Sequence, residues 1–184
     1  MTYRSELIDL ARHRHGIVTT REAREWGIPS VEIRKMSQHG GLARLGHGVY
    51  RVLAVPQSRL TPYATTLAFA GPGGILNGET TLGLLRVIEQ PPLYGAYTPW
   101  LRRCRVPNYI NFEHFHVDHD VVAVHHGMRG LTVPVALQWA TLPRPTGLDD
   151  VIAKAFELRL ISLEEGTRLM RMCDSRYGRS TPCL

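Results

Sequence analysis

The stretch from His15 to Val52 decides the fold. It runs H-G-I-V-T-T-R-E-A-R-E-W-G-I-P-S-V-E-I-R-K-M-S-Q-H-G-G-L-A-R-L-G-H-G-V-Y-R-V. Thr19 with Glu22 three residues on is a capping box, which predicts a helix from Thr20 to about Trp26 with Ala23 and Trp26 on one face. Gly27 suits the positive φ of a short turn between helices, and Pro29 suits a helix start but not a helix interior. Ser30 is then the expected cap of a second helix, Val31 to about His39, whose Ile33, Met36 and Gly40 follow a three-to-four spacing. Leu42–Leu45 and Val49–Val52 read as two short strands joined by Gly46-His47-Gly48. Helix, turn, helix and hairpin within so short a span predict a helix-turn-helix with a wing.

The outer surface of this segment points to DNA. Glu32, Arg34, Lys35, Gln38 and His39 lie off the Ile33/Met36 stripe, so they face solvent. Arg, Lys and Gln on a helix in the major groove reach base edges, and Ser30 with the helix N–H groups can meet a phosphate. Arg44 and His47 on the wing would meet the DNA backbone or the minor groove.

Composition agrees with that placement. Hydrophobic residues at 43% and charged residues at 21% are those of a soluble globular chain. The net charge of +6 is uneven. Residues 1–60 hold ten Arg/Lys against five Asp/Glu, and residues 61–184 hold twelve against eleven. The basic excess therefore sits with the helix-turn-helix, where phosphate binding needs it. Three cysteines without a C-x-x-C pair fit a reduced, cytoplasmic protein with no disulfide framework. The first residues lack an apolar signal core, and the uncharged run Leu60–Gly78 is broken by two Pro and four Gly, so no membrane helix is expected.

The rest of the chain reads as α+β. Tyr3, Leu7, Leu10 and Ala11 predict a first amphipathic helix, Tyr3 to about Arg14, packed under the helix-turn-helix. Residues 54–58 read as a linker or a bend after the wing. Helices are expected at Thr61–Ala70, from Asn77 as cap to about Ile88, at Val133 to about Leu142, at Asp149–Leu160, and from the Ser162/Glu165 capping box to about Cys173. The glycine run 71–74 lacks the Gly-Lys-Ser/Thr of a phosphate loop and reads as a turn. Between Leu93 and Thr132, runs such as Leu93–Tyr97, Tyr109–Phe112 and Val121–Val124 predict a small antiparallel sheet. Arg102, Arg103 and Arg105 sit between two of its strands, as a second DNA contact or a solvated loop. His114, His116 and Asp118 would share a strand face with His119 nearby, yet nothing completes a usual zinc pattern, so no metal or other cofactor is expected. The expected division is a winged helix-turn-helix at 1–55 and a mixed helical and sheet domain at 61–184. Residues 143–147 read as a loop and the last eleven residues as a frayed end.

Three segments carry a resemblance. G-I-V-T-T-R-E-A-R-E-W-G-I-P, S-V-E-I-R-K-M and G-G-L-A-R-L-G-H-G-V-Y-R-V together resemble the N-terminal winged helix of AbiEi-type antitoxins. The closing pattern of that family, G-x-L-x-R-x-x-x-G-V-Y, falls on Gly40, Leu42, Arg44, Gly48, Val49 and Tyr50, with Gly41 between the first two. The later G-M-R-G-L-T-V-P-V-A-L segment and the two acidic-capped helices resemble the family's C-terminal half. The resemblance implies a protein that binds inverted repeats in its own promoter, represses it, and neutralises a nucleotidyltransferase toxin. It also implies DNA contacts from Ser30, Arg34, Lys35, Gln38, Arg44, His47 and Arg51. The chain departs at Gly46-His47, where relatives often carry further basic residues. Two other readings stay open: a ligand-responsive winged-helix regulator with no toxin partner, and an enzyme. Against the enzyme, no nucleophile stands with a base at a recognisable spacing and no paired carboxylates form a motif.

Overall fold

The computed structural model of the chain describes residues 2–91, 93–100, 105–141 and 147–177. Arg102, Arg103, residues 143–146 of the expected loop and residues 178–184 lie outside them. The chain divides into two compact units: Met1–Leu76 with Pro92–Val117, and Asn77–Pro91 with Asp118–Leu184.

In the first unit, helix α1 (Tyr3–Arg12) starts at a Thr2/Ser5 capping box and buries Leu7, Leu10 and Ala11. His15 and Gly16, with φ of 54° and 84°, turn the chain into strand β1 (Ile17–Thr19). Thr19 ends β1 and caps α2 (Thr20–Glu25); its Oγ1 accepts from the Glu22 N–H while Glu22 accepts from the Thr19 N–H, as the sequence predicts. The Ala23/Trp26 face is corrected: Ala23 is buried, but Trp26 is 52% exposed and Ile28 fills the core instead. Gly27 takes a φ of 77°. Helix α3 (Ser30–Gln38) follows, and its cap is Pro29 rather than Ser30, because the φ of −63° and ψ of 143° at Pro29 are already those of a capping residue. Ser30 becomes the first helical residue.

The wing is β2 (Leu42–Gly46) and β3 (Val49–Val52), antiparallel across the two-residue turn His47-Gly48. Sequence reasoning missed β1, which pairs with the other edge of β3 and makes the sheet three-stranded, β1-β3-β2. Both faces of that sheet are covered. Val18, Leu42 and Val52 pack with Leu7, Ala23, Ile28 and Ile33 of the helices. Ile17 and Val49 pack on the opposite side against Phe69 and Ile110. Coverage on both faces fits the consecutive apolar residues Ile17-Val18 of β1.

Phe69 belongs to α4 (Thr61–Ala70), which begins with Pro at its second position and stops at Gly71, as predicted. Gly46 is corrected from turn residue to strand end. A Cβ there would stand 2.5 Å from Phe69 Cε1 and 2.7 Å from Cζ, so the glycine serves a close approach rather than a bend. Strand β4 (Ile75–Leu76) pairs antiparallel with β5 (Tyr94–Thr98). Strand β6 (Ile110–His114) lies parallel to β5, a pairing that the sequence pattern does not distinguish from antiparallel. Tyr63 and Tyr94 meet edge to face at 4.9 Å, and Tyr94 meets Tyr109 likewise at 6.0 Å.

In the second unit, Asn77 caps α5 (Gly78–Leu84), its side-chain oxygen accepting from Thr80 N–H at 3.1 Å. The helix ends four residues short of the expected Ile88, and Arg86 takes a φ of 62°. Strands β7 (Val122–His125) and β8 (Met128–Leu131) form an antiparallel hairpin, with positive φ at both His126 and Gly127. Then come α6 (Val133–Trp139), α7 (Leu148–Glu157) and α8 (Leu163–Tyr177). Gly78 lets α5 approach α6: a Cβ there would lie 2.8 Å from the Ala136 carbonyl. Leu82, Leu131, Leu137, Val151, Ile152 and Leu169 are among its buried residues. The Ser162/Glu165 capping box of α8 is present, with Glu165 accepting from Ser162 N–H at 2.8 Å. The fold is mixed α+β, with an N-terminal winged helix-turn-helix and antiparallel pairing in both units. No helix of the described residues is long and apolar enough to cross a membrane.

Candidate nucleic-acid interface

A groove runs between α3 and the wing, floored by Ile33, Val49 and the end of α4. Its geometry is set by three short-range links. Thr20 N–H donates to the Gly48 carbonyl at 2.8 Å, which ties the wing turn to the start of α2. Arg24 Nε donates to Ser30 Oγ at 2.8 Å, which ties the end of α2 to the start of α3. Ile33 is fully buried in the helical core and fixes the rotation of α3.

That rotation sorts the sequence-derived candidates. Ser30, Arg34 and Gln38 recur at i, i+4 and i+8, so they share one face and line the groove. Arg44 and His47 face them from the wing, both exposed. Five of the nine candidates are therefore brought together. Glu32 and His39 are not among the groove's lining residues; they sit on the α1 side of α3, beside Arg4 and Met36. Lys35 is exposed and bridged to Glu32 at 2.8 Å. Arg51 pairs with Ile17 and Ala43 on β3 and is not among the groove's lining residues.

The groove also recruits residues that the sequence reasoning did not single out. Arg21, Arg24 and Tyr50 line it. The available signal was the arginine pair three apart on α2, on the side away from Ala23. Arg21 is held by Glu25 at 2.7 Å, and Arg44 Nε donates to the Gly46 carbonyl at 3.4 Å. Arg34 and Gln38 have no hydrogen-bond partner among the described residues, so their donors and acceptors are open to solvent. Four arginines against one groove-lining carboxylate, that of Glu25, give the surface a positive potential, and exposed ion pairs of this kind open at little cost.

The histidines of the second half are placed differently. His114 is exposed on β6 and its Nδ1 lies 3.1 Å from the Thr98 carbonyl. His125 Nε2 lies 2.8 Å from the Leu131 carbonyl. Among the described residues no three His, Cys, Asp or Glu side chains converge as metal ligands would.

Residues 5–53 match the family described as transcriptional regulator, AbiEi antitoxin. The match spans α1 through β3 and contains the groove-lining residues of α2, α3 and the wing. The curated proteins give no match to the chain.

Proposed function

We propose that the chain is an antitoxin and transcriptional autorepressor. In this reading residues 1–55 hold inverted repeats of double-stranded promoter DNA, and residues 61–184 carry neutralisation of a nucleotidyltransferase toxin. The observation that carries the DNA half is the groove itself: Arg21, Arg24, Arg34, Arg44 and His47 converge on one concavity between a helix and a wing. Helix-turn-helix proteins place such a helix in the major groove and use flanking cations on phosphates. The description of the matched family supports the antitoxin role. The toxin's chemistry rests on the resemblance of the Gly127–Leu137 segment and of the capped helices α7 and α8.

Titration of the protein's own promoter fragment at several salt concentrations tests the DNA half. Each phosphate neutralised should lower log affinity by roughly 0.9 per log unit of salt. A response that is flat in salt counts against the cationic groove. Growth rescue on co-expression with the toxin encoded beside the chain tests the other half; failure to rescue at matched protein levels removes it.

A further inference from the structure

We infer that base recognition is concentrated in Val31, Arg34 and Gln38, and that the half-site they read carries a thymine, a guanine and an adenine in one short run. The inference rests on the DNA-binding reading above and concerns which side chains read sequence. At 100° per residue from the buried Ile33, these three positions fall within roughly 60° of one another on the outer surface of α3. They span seven residues, about 10.5 Å of helix, which matches about three base-pair steps of roughly 3.4 Å.

The neighbouring cations are already engaged. Lys35 is bridged to Glu32, Arg21 to Glu25, Arg24 to Ser30, and Arg44 to the Gly46 carbonyl. These side chains suit a backbone phosphate, which asks for charge and tolerates varied geometry. Arg34 has its planar fork uncommitted among the described residues. A free guanidinium fork matches O6 and N7 of guanine, and a free carboxamide matches N6 and N7 of adenine. Val31 is the apolar member. It keeps 53% of its surface exposed beside charged neighbours, and an exposed branched methyl pair at this position fits the thymine methyl group.

The test is selection of binding sites from a random duplex pool by the full chain, then affinity measurements on the selected site and on base-swapped sites at fixed salt. Wild type should select a motif containing T, G and A within about four base pairs. Arg34→Ala should lose about 5- to 150-fold on the selected site and lose its preference for guanine. Arg34→Lys should keep affinity for scrambled DNA and narrow the preference for guanine, because an ammonium lacks the planar fork. Replacing the thymine by deoxyuridine, which lacks the methyl group, should weaken wild type more than Val31→Ala. Lys35→Ala should weaken all sequences alike. If wild type binds duplexes but selects no such motif, or Arg34→Ala weakens selected and scrambled DNA equally, the inference is overturned while the DNA-binding reading stands. If wild type binds no duplex, both fall.

Discussion

Gly46→Ala probes the joint between the wing and α4. The glycine has no positive φ, so an alanine meets no backbone strain there. What it meets is the Phe69 ring, 1% exposed and packed on Ile17, Val49 and Ile110, with the Arg105 carbonyl 3.4 Å away on another side. Neither the ring nor the strand can retreat without disturbing that cluster. Overpacking of this kind costs roughly 1–3 kcal/mol, and the alanine returns roughly 0.4–1 kcal/mol by restricting the unfolded chain. The net expectation is a loss of about 1.5 kcal/mol, or about 6–12 °C in Tm for a cooperative unit of this size. Phe69→Leu withdraws the ring edge. In the double variant the two losses should fall short of their sum by about 1 kcal/mol, because the clash no longer exists. Urea denaturation followed by circular dichroism measures all four proteins. A Gly46→Ala protein as stable as wild type, or single losses that simply add, would refute the close-approach argument.

Thr19→Ala should cost about 1 kcal/mol, because it removes one acceptor of the α2 capping box; an unchanged urea midpoint would count against the cap. Tyr63, Tyr94 and Tyr109 are all raised above the ordinary tyrosine pKa of 10.0, chiefly by burial, with neighbouring tyrosines adding for Tyr63 and Tyr94 and Arg59 opposing there. Groups raised on folding contribute stability that is full below their unfolded pKa and lost as pH rises through the folded one. Unfolding by alkali should therefore set in above pH about 10, with a shallower slope in Tyr63→Phe. Phenolate absorbance that titrates at the unfolded value in the native protein would contradict this. The Arg34→Ala/Lys35→Ala double variant should abolish promoter repression and leave toxin neutralisation intact, since both side chains are exposed and leave no cavity. Parallel reporter and growth assays at matched protein levels decide; joint loss in a folded protein shows that one surface serves both roles.

What the sequence revealed was local. The Thr19/Glu22 box, Gly27 and the hairpin each depend on residues a few positions apart, and each is where the sequence places it. Strand β1 was illegible because three residues carry no period, and its partner β3 lies about thirty positions further on. Ser30 was misread as a cap because its residue type fits, while the extended backbone of Pro29 takes the position first. The candidate site was legible where helical spacing alone fixes a face, as for Ser30, Arg34 and Gln38. Arg51 could not be placed that way. Its place follows from the pairing of β3 with β1 and β2, which helical spacing cannot give. Arg21 and Arg24 were overlooked because they join the groove only through the packing of α2 against α3 and the wing.

The cover that α4 lays over the second face of the wing sheet has a consequence for inheritance. The family match stops at residue 53, before that helix. A gene fragment ending at the wing would encode a sheet with Ile17 and Val49 bare to water, a surface prone to self-association. The chain also passes between its two compact units near residues 76, 91 and 117, so no single recombination point separates them. Any transfer of residues 1–53 onto another chain must carry α4 along, or supply another apolar helix in its place.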